Sequence, residues 1–413
     1  MPYVITMIIA LIVAFVMTPL VRKMAFRLGA VDVPKDARRM HSDPVALLGG
    51  FAISAGFLAA LAYNILAGPL PFDRSVAGLL CGICVLLVCG YIDDKFTLRP
   101  FHKFLFQLAA AVLYVAVSDM QISFLTNPFV YDSVIEFGPL ISWPLTVLWI
   151  VGITNAINFI DGLDGLAAGV SCISAISLFF ISMSTMAATG NIMAPLLTAA
   201  LAGAALGFLP FNFNPAKIFM GETGAAFLGF ALAAISVQGM LKSYAAMSLA
   251  IPILIIGLPI FDVVFAVFRR VAHGQSPAVS DRSHLHHKLI DMGLSQRQSV
   301  AVLYIASAGL GLCGFVFANK NYVSAAILLI LLPVFIFACV KYFAGDRPAG
   351  GGKSGGDGRG LPERGRGGDG DGGSGNENGY GLSGEPLDGE PLGGEHAMEP
   401  GRRDRADAMR AEG

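Results

Sequence analysis

The sequence predicts an all-α fold: a polytopic integral membrane helical bundle of about eleven transmembrane helices, followed by a disordered Gly-rich C-terminal tail. Three observations carry that expectation. The 413 residues are 55% hydrophobic and only 14% charged, with a mean hydropathy of +0.66, whereas soluble domains carry roughly a quarter charged residues. Apolar runs long enough to cross a bilayer recur as far as about residue 342. The last 68 residues hold 22 of the 49 glycines, and the net charge of −1 hides a basic body and an acidic tail. No basic patch stands clear of the apolar segments, which argues against a nucleic-acid partner.

Spanning a bilayer takes about 20 apolar residues. Eleven stretches qualify in order: 3–21, 48–68, 76–92, 104–120, 137–154, 166–186, 193–210, 223–241, 245–268, 300–318 and 323–342. No basic region precedes the first stretch and positive charge follows it, so an uncleaved span is expected rather than a signal peptide. Residues 1–342 form the expected membrane domain. Residues 343–413 are charged and nearly free of aromatics, and a segment of that composition cannot bury enough apolar surface to fold.

Orientation follows from Lys and Arg. Loops after spans 1, 3, 7 and 9 hold 15 of them, against three (Arg74, Lys242, Lys320) in the opposite loops. This places the first set in the cytoplasm, the N-terminus outside and the tail inside. The six cysteines all lie in apolar stretches, and the Cys81-x-x-Cys84 pair has no neighbouring His or Asp. They read as small buried or lipid-facing residues.

Polar residues at membrane depth are costly, so their positions carry information. Five clusters stand out: Arg38-Arg39-Met40-His41 before Gly49-Gly50; Asp93-Asp94; Asn155 through Gly165; Phe219 through Gly224; and His284-Leu-His286-His287. On the charge-derived topology all five fall at the cytoplasmic face, which favours one shared site. Asn155, Asn158, Asp161 and Asp164 recur every third residue, so each faces its neighbour on a helix or tight turn. Asp93-Asp94 closes span 3, and Glu222 opens span 8 in a Gly-Glu-Thr-Gly turn. Oxygen ligands of this kind suit a hard cation such as Mg²⁺, which takes one or two protein ligands plus substrate phosphates. The histidines fit no common zinc spacing and suit cationic donors to phosphate oxygens. Asp262 lies seven residues before Arg269, which allows an ion pair within span 9 or a functional role. Carboxylates, a divalent ion and cationic donors at the edge of a bundle suit phosphoryl transfer.

These motifs resemble those of the polyprenyl-phosphate N-acetylhexosamine-1-phosphate transferases, glycosyltransferase family 4. The resemblance covers about residues 1–342. It rests on Arg38-x-x-His41-x-x-Pro44 with Gly49-Gly50, Asp93-Asp94-Lys95, Asn155–Gly165, Phe219–Gly224 and the HLHHKL run from His284. The phospho-N-acetylmuramoyl-pentapeptide transferase is a more distant likeness and the alternative enzyme, disfavoured by that histidine run. A polytopic transporter is the alternative from another class; it would place its polar residues near the midplane with an inverted repeat.

The resemblance implies transfer of N-acetylhexosamine-1-phosphate, GlcNAc-1-phosphate foremost, from a UDP-sugar to undecaprenyl phosphate. UMP leaves, and lipid-linked assembly of a cell-surface glycan begins. It also implies a requirement for Mg²⁺, with Mn²⁺ as a substitute, and a multi-pass protein of the cell membrane with its active site on the cytoplasmic side. Homodimerisation stays open. Carried over by motif, Asn158 and Glu222 would hold the metal. Asp93, Asp94 and Asp161 would be catalytic, with Asp93 and Asp94 near the attacking lipid phosphate. Asn155, Asp164, Phe219, His41, His284, His286 and His287 would bind substrate, with Phe219 near the uracil. This sequence departs from the family at Glu222, where Asp is usual, and at Ala46 and Leu47, where Pro and Arg are usual.

Overall fold

A computed structural model describes residues 1–33, 44–126, 134–241, 249–272, 274 and 284–345. His41 with its Arg38-Arg39 neighbours, and the tail beyond residue 345, lie outside the described residues.

The helices are α1 (Pro2–Leu28), α2 (Gly49–Leu66), α3 (Arg74–Phe96), α4 (Pro100–Ser118), α5 (Pro139–Ile160), α6 (Leu166–Thr189), α7 (Met193–Asn212), α8 (Gly221–Leu241), α9 (Ala250–Ile255), α10 (Gly257–Ala272), α11 (Leu285–Asp291), α12 (Gln296–Ala318) and α13 (Tyr322–Gly345). Short antiparallel pairs join Val31–Asp32 to Val45–Ala46 and Phe124–Thr126 to Val134–Glu136. Among the described residues nine helices, α1 to α7 with α12 and α13, are long and apolar enough to cross a membrane. The chain is a multi-pass membrane protein, as its hydropathy predicts.

The predicted span at 245–268 differs. It is two helices, α9 of 6 residues and α10 of 16. Pro259 supplies the reason: it has no N–H to give the carbonyl four residues earlier, at Ile255, and its ring crowds that carbonyl, which weakens the helix at this point. α10 is sharply two-faced. Asp262, Ala266 and Arg270 are buried, while Phe261, Val264, Phe265, Phe268 and Val271 are exposed.

α8 is the centre of the bundle. Every residue from Thr223 to Gln238 is buried, enclosed by α2, α3, α5, α6 and α7. α1 lies against α2 and α7 through small residues, Ala10 and Ala14 meeting Gly56 and Gly207. In a bilayer, where lipid is as apolar as the helix, such close backbone approach is what drives association. α13 packs on α12 and otherwise leaves its apolar side chains exposed.

The helices alternate in direction, so one end of the bundle collects the C-termini of α1, α3, α5 and α7 and the N-termini of α2, α4, α6 and α8. A backbone seam ties that end together. Phe219 N–H donates to Ala46 O at 2.8 Å, Gly49 N–H to Phe219 O at 3.0 Å and Gly50 N–H to Met220 O at 2.8 Å. A Cβ on Gly50 would overlap the backbone of Gly224. The paired glycines thus let α2 abut the segment leading into α8.

Candidate active site

At this end of the bundle a cavity of about 610 Å³ is lined by residues of five separate segments, among them Asp93, Asp94, Lys103, Asn158, Asp161, Asp164, Phe219, Glu222 and His287. A narrower cavity of about 60 Å³, among Ser182, Thr185, Asn191 and Ser236, is lined by no titratable group among the described residues.

Asp94 sits at the last turns of α3 and reaches the start of α8. Its Oδ1 accepts from the Glu222 amide at 2.7 Å, and its Oδ2 accepts from the Thr223 hydroxyl at 2.6 Å and the Thr223 amide at 3.3 Å. An anion here satisfies amides that a helix N-terminus leaves unpaired and complements its dipole. Gly221 permits the approach: its φ is +69°, and a Cβ would stand 2.6 Å from both Asp94 oxygens.

Asp93, 6% exposed, is equally engaged. Oδ1 accepts from the Leu98 amide at 2.6 Å, and Oδ2 lies 2.8 Å from Lys103 Nζ. The same ammonium lies 2.8 Å from Glu222 Oε1, and Asn158 Nδ2 donates to Glu222 Oε2 at 2.6 Å. Both oxygens of Glu222 therefore have partners, and Asn158 keeps its amide oxygen for another ligand. Lys103 is a site residue that the sequence reading counted only as a topological charge. The signal was its place in the first turn of the helix after Asp93-Asp94, where an ammonium can reach back to both span ends.

Asn155 and Asn158 occupy the last two turns of α5, and the helix ends at Ile160, so Asp161 and Asp164 stand on the following turn. Asn155 is not brought to the cavity. Its Nδ2 donates to Gln107 Oε1 at 2.6 Å and to Val151 O at 2.8 Å, which braces α5 against α4. Asp164 reaches the loop after α7: its Oδ2 accepts from Asn214 Nδ2 at 3.0 Å and from the Ala216 amide at 3.1 Å. Arg297 holds the same loop by donating to Asn214 O at 2.8 and 3.1 Å. Asn212 was also missed. It is 3% exposed and lines the cavity; its Nδ2 donates to Ile218 O, while its Oδ1 is buried without a hydrogen-bond partner. An acceptor left so is satisfied by a ligand or water.

The side chain of Asp161 opens on the cavity. Enclosure by the surrounding protein, followed by the charges of Glu222, Asp94 and Asp164, pushes its carboxyl up to about 7. Cavity solvent screens part of that effect, and the neighbouring carboxylates add to the push that enclosure begins. Among the described residues no three His, Cys, Asp or Glu side chains converge on one point as a complete metal site. Mg²⁺ does not need one, since substrate phosphates supply its remaining ligands. The oxygen donors and the neighbouring carboxylates fit such an ion.

His287 lines the cavity. His286 does not; it lies 3% exposed behind Gly162, where a Cβ would strike its Nε2. Burial, helped by His287 and His284 and opposed by Asp262, lowers its pKa to about 4. Of the three histidines expected to act as cationic donors, His286 is thus the one whose surroundings disfavour the charged form. His284 lies against Phe159 and Asp262 and is not among the cavity-lining residues.

Residues 76–240 match the profile of glycosyl transferase family 4. Over 339 residues, 81% of this chain and 88% of the relative, the chain is 40% identical to a probable undecaprenyl-phosphate N-acetylglucosaminyl 1-phosphate transferase of Bacillus subtilis (strain 168). The chain belongs to glycosyl transferase family 4. Two further relatives are the decaprenyl-phosphate N-acetylglucosaminephosphotransferase of Mycobacterium tuberculosis (strain ATCC 25618 / H37Rv), 33% identical over 77% of this chain and 84% of the relative, and the undecaprenyl-phosphate alpha-N-acetylglucosaminyl 1-phosphate transferase of Pasteurella multocida (strain Pm70), 29% identical over 81% and 93%. Membership of glycosyl transferase family 4 decides against the transporter. Within this member of the family, the matched segment carries the cavity's acidic residues from Asp93 to Glu222.

Proposed function

We propose that the chain transfers GlcNAc-1-phosphate from UDP-GlcNAc to a polyprenyl phosphate, undecaprenyl phosphate foremost, at the cytoplasmic face of the cell membrane. A lipid phosphate oxygen bonds to the β-phosphorus, the bond from that phosphorus to the bridging oxygen breaks, and UMP leaves with the electron pair. The product is a lipid-linked diphosphosugar that starts a cell-surface glycan.

The observation that supports this reading is the cavity of about 610 Å³, where six carboxylates, Asp32 among them, and Lys103 face one space at the end of a membrane bundle. Glu222 and the free amide oxygen of Asn158 would hold Mg²⁺, with Asp161 beside them. Once bound, the ion would neutralise charge on the diphosphate and its leaving group. Lys103 holds Asp93 and Glu222 in place and brings an ammonium near the developing charge. Asp93 and Asp94 act by holding the turn after α3 and the start of α8. A lipid phosphate is already anionic near neutral pH, so neither has to remove a proton. Phe219 offers a ring face to the uracil, and Asn212 Oδ1 offers an acceptor to its N–H.

The test is UMP release by the detergent-purified full chain with undecaprenyl phosphate and Mg²⁺, supplied in turn with UDP-GlcNAc, UDP-GalNAc and UDP-MurNAc-pentapeptide. Release with UDP-GlcNAc that stops on adding EDTA is expected. Release with the pentapeptide donor alone, or with none in folded protein, overturns the proposal.

A further inference from the structure

Asp262 lies on α10, away from the cavity wall, with its carboxylate turned into the bundle and 4% exposed. Both oxygens are taken by the start of the histidine segment. Oδ1 accepts from the Leu285 amide at 2.9 Å, and Oδ2 lies 2.9 Å from His284 Nδ1. The His284 ring also lies nearly parallel to two neighbours: Phe159, at 6.0 Å between centroids and 16°, and His286, at 6.0 Å and 6°.

Stacking fixes the plane of an imidazole but not its sense, because a half-turn about the Cβ–Cγ bond leaves the plane unchanged. The hydrogen bond removes that freedom. A carboxylate only accepts, so Nδ1 carries the hydrogen and Nε2 is the ring nitrogen left for a ligand. The second oxygen makes the arrangement rigid, since it grips the backbone one residue further on.

We infer that Asp262 is a positioning residue: it fixes the tautomer and orientation of His284 so that Nε2 is presented to the diphosphate sugar of the donor. This rests on the donor site proposed above, taken to extend from His287, which lines the cavity, past His286 to His284 beside it. The ion pair with Arg269 that the seven-residue spacing allows is not needed to explain the buried carboxylate, because His284 and Leu285 occupy both of its oxygens.

Asp262→Asn separates orientation from support. Its amide oxygen still accepts from Leu285, while its NH₂ faces Nδ1 and forces the hydrogen onto Nε2. The full chain in detergent is assayed for UMP release as wild type, Asp262→Asn, His284→Gln and the double variant, alongside the unfolding midpoint of each. Asp262→Asn is expected to lower kcat/KM by about 10- to 100-fold, the usual cost of losing a partner that orients a functional histidine. In the His284→Gln background the same change is expected to cost less than about threefold, since coupled residues are non-additive. A residue that only supports the fold costs the same in both backgrounds, and that result overturns the inference. If His284→Gln is impaired while Asp262→Asn is not, the inference falls and the donor-contact reading stands. If His284→Gln turns over like wild type, that reading falls and takes the inference with it. A measurement without the Asp262 variant decides the case if it does not fold: ¹⁵N-histidine NMR of the wild type, with His284 assigned by its loss in His284→Gln. A hydrogen on Nδ1 is expected; a hydrogen on Nε2 alone overturns the inference.

Discussion

The amide of Glu222 donates to Asp94 Oδ1 at 2.7 Å, so the carboxylate ending α3 sets the position of the residue that opens α8. Glu222 in turn presents its own carboxylate to Lys103 and Asn158. The acidic groups thus act in series, one shaping the backbone and the next facing the cavity.

Asp94→Ala removes an acceptor for the first amides of α8. Loss of a helix cap costs about 1–2 kcal/mol, so the unfolding midpoint in detergent should fall, and UMP release with it. Asp94→Asn keeps one acceptor and should fall between Asp94→Ala and wild type on both measures.

Lys103→Met leaves Asp93 and Glu222 facing each other without their shared cation. Glu222 is 29% exposed and well screened, but Asp93 is 5% exposed and loses its cation, so the unfolding midpoint should fall, by an amount corresponding to as much as about 3 kcal/mol. Turnover should drop at least about tenfold, a loss of about 1.4 kcal/mol in transition-state stabilisation. Glu222→Ala should abolish Mg²⁺-dependent turnover. Glu222→Asp keeps the charge, gives up reach towards Lys103 and should be tolerated. Near-normal activity in the alanine variant would refute the metal assignment.

Gly162→Ala places a methyl group against His286 Nε2, and overpacking of this kind costs about 1–3 kcal/mol. Gly152 on α5 is the control, because a Cβ there meets no atom within 4 Å. Gly152→Ala should be neutral or slightly stabilising. Equal unfolding midpoints for the two variants would show that the contact at Gly162 yields freely.

Two groups near the site make stability depend on pH in opposite senses. His286 has its pKa lowered from 6.5 to about 4, so the folded state binds fewer protons than the unfolded chain between those values. Its contribution is complete above pH 6.5 and is lost as pH falls towards 4. Asp161 has its pKa raised from 3.8 to about 7, so its contribution is present at low pH and is lost as pH rises through 7. His286→Gln should therefore flatten the acid limb of the unfolding midpoint between pH 6.5 and 4.5. Asp161→Asn should raise the midpoint more at pH 8 than at pH 5. A parallel shift at all pH values would contradict either assignment.

Hydropathy and charge made the membrane bundle legible because they report transfer into lipid, which depends on composition. Asp93, Asp94, Asn158, Asp161 and Glu222 could be brought together from sequence because each ends or begins a span on the same side. The direction in which a side chain leaves its helix was not legible. Asn155 shares the three-residue rhythm of Asn158 and Asp161, yet Gln107 claims it. Gly49-Gly50 lies in a motif, yet its work is to let two backbones meet. Lys103 and Asn212 sit among apolar neighbours and gain meaning only when α4 and α7 converge on α8. The break at Ile255 was available in Pro259, but a hydropathy window averages over it.

The tie between α3 and α8 has a consequence for synthesis. Asp94 and the amide it accepts from are 128 residues apart in the chain, and the ribosome adds about 5–20 residues per second. For roughly 6 to 26 seconds after α3 emerges, its terminal acids wait at the membrane edge without the backbone that will engage them. The pocket is therefore a late product of insertion, absent from any truncated nascent chain that stops short of α8, however well its first seven helices are placed.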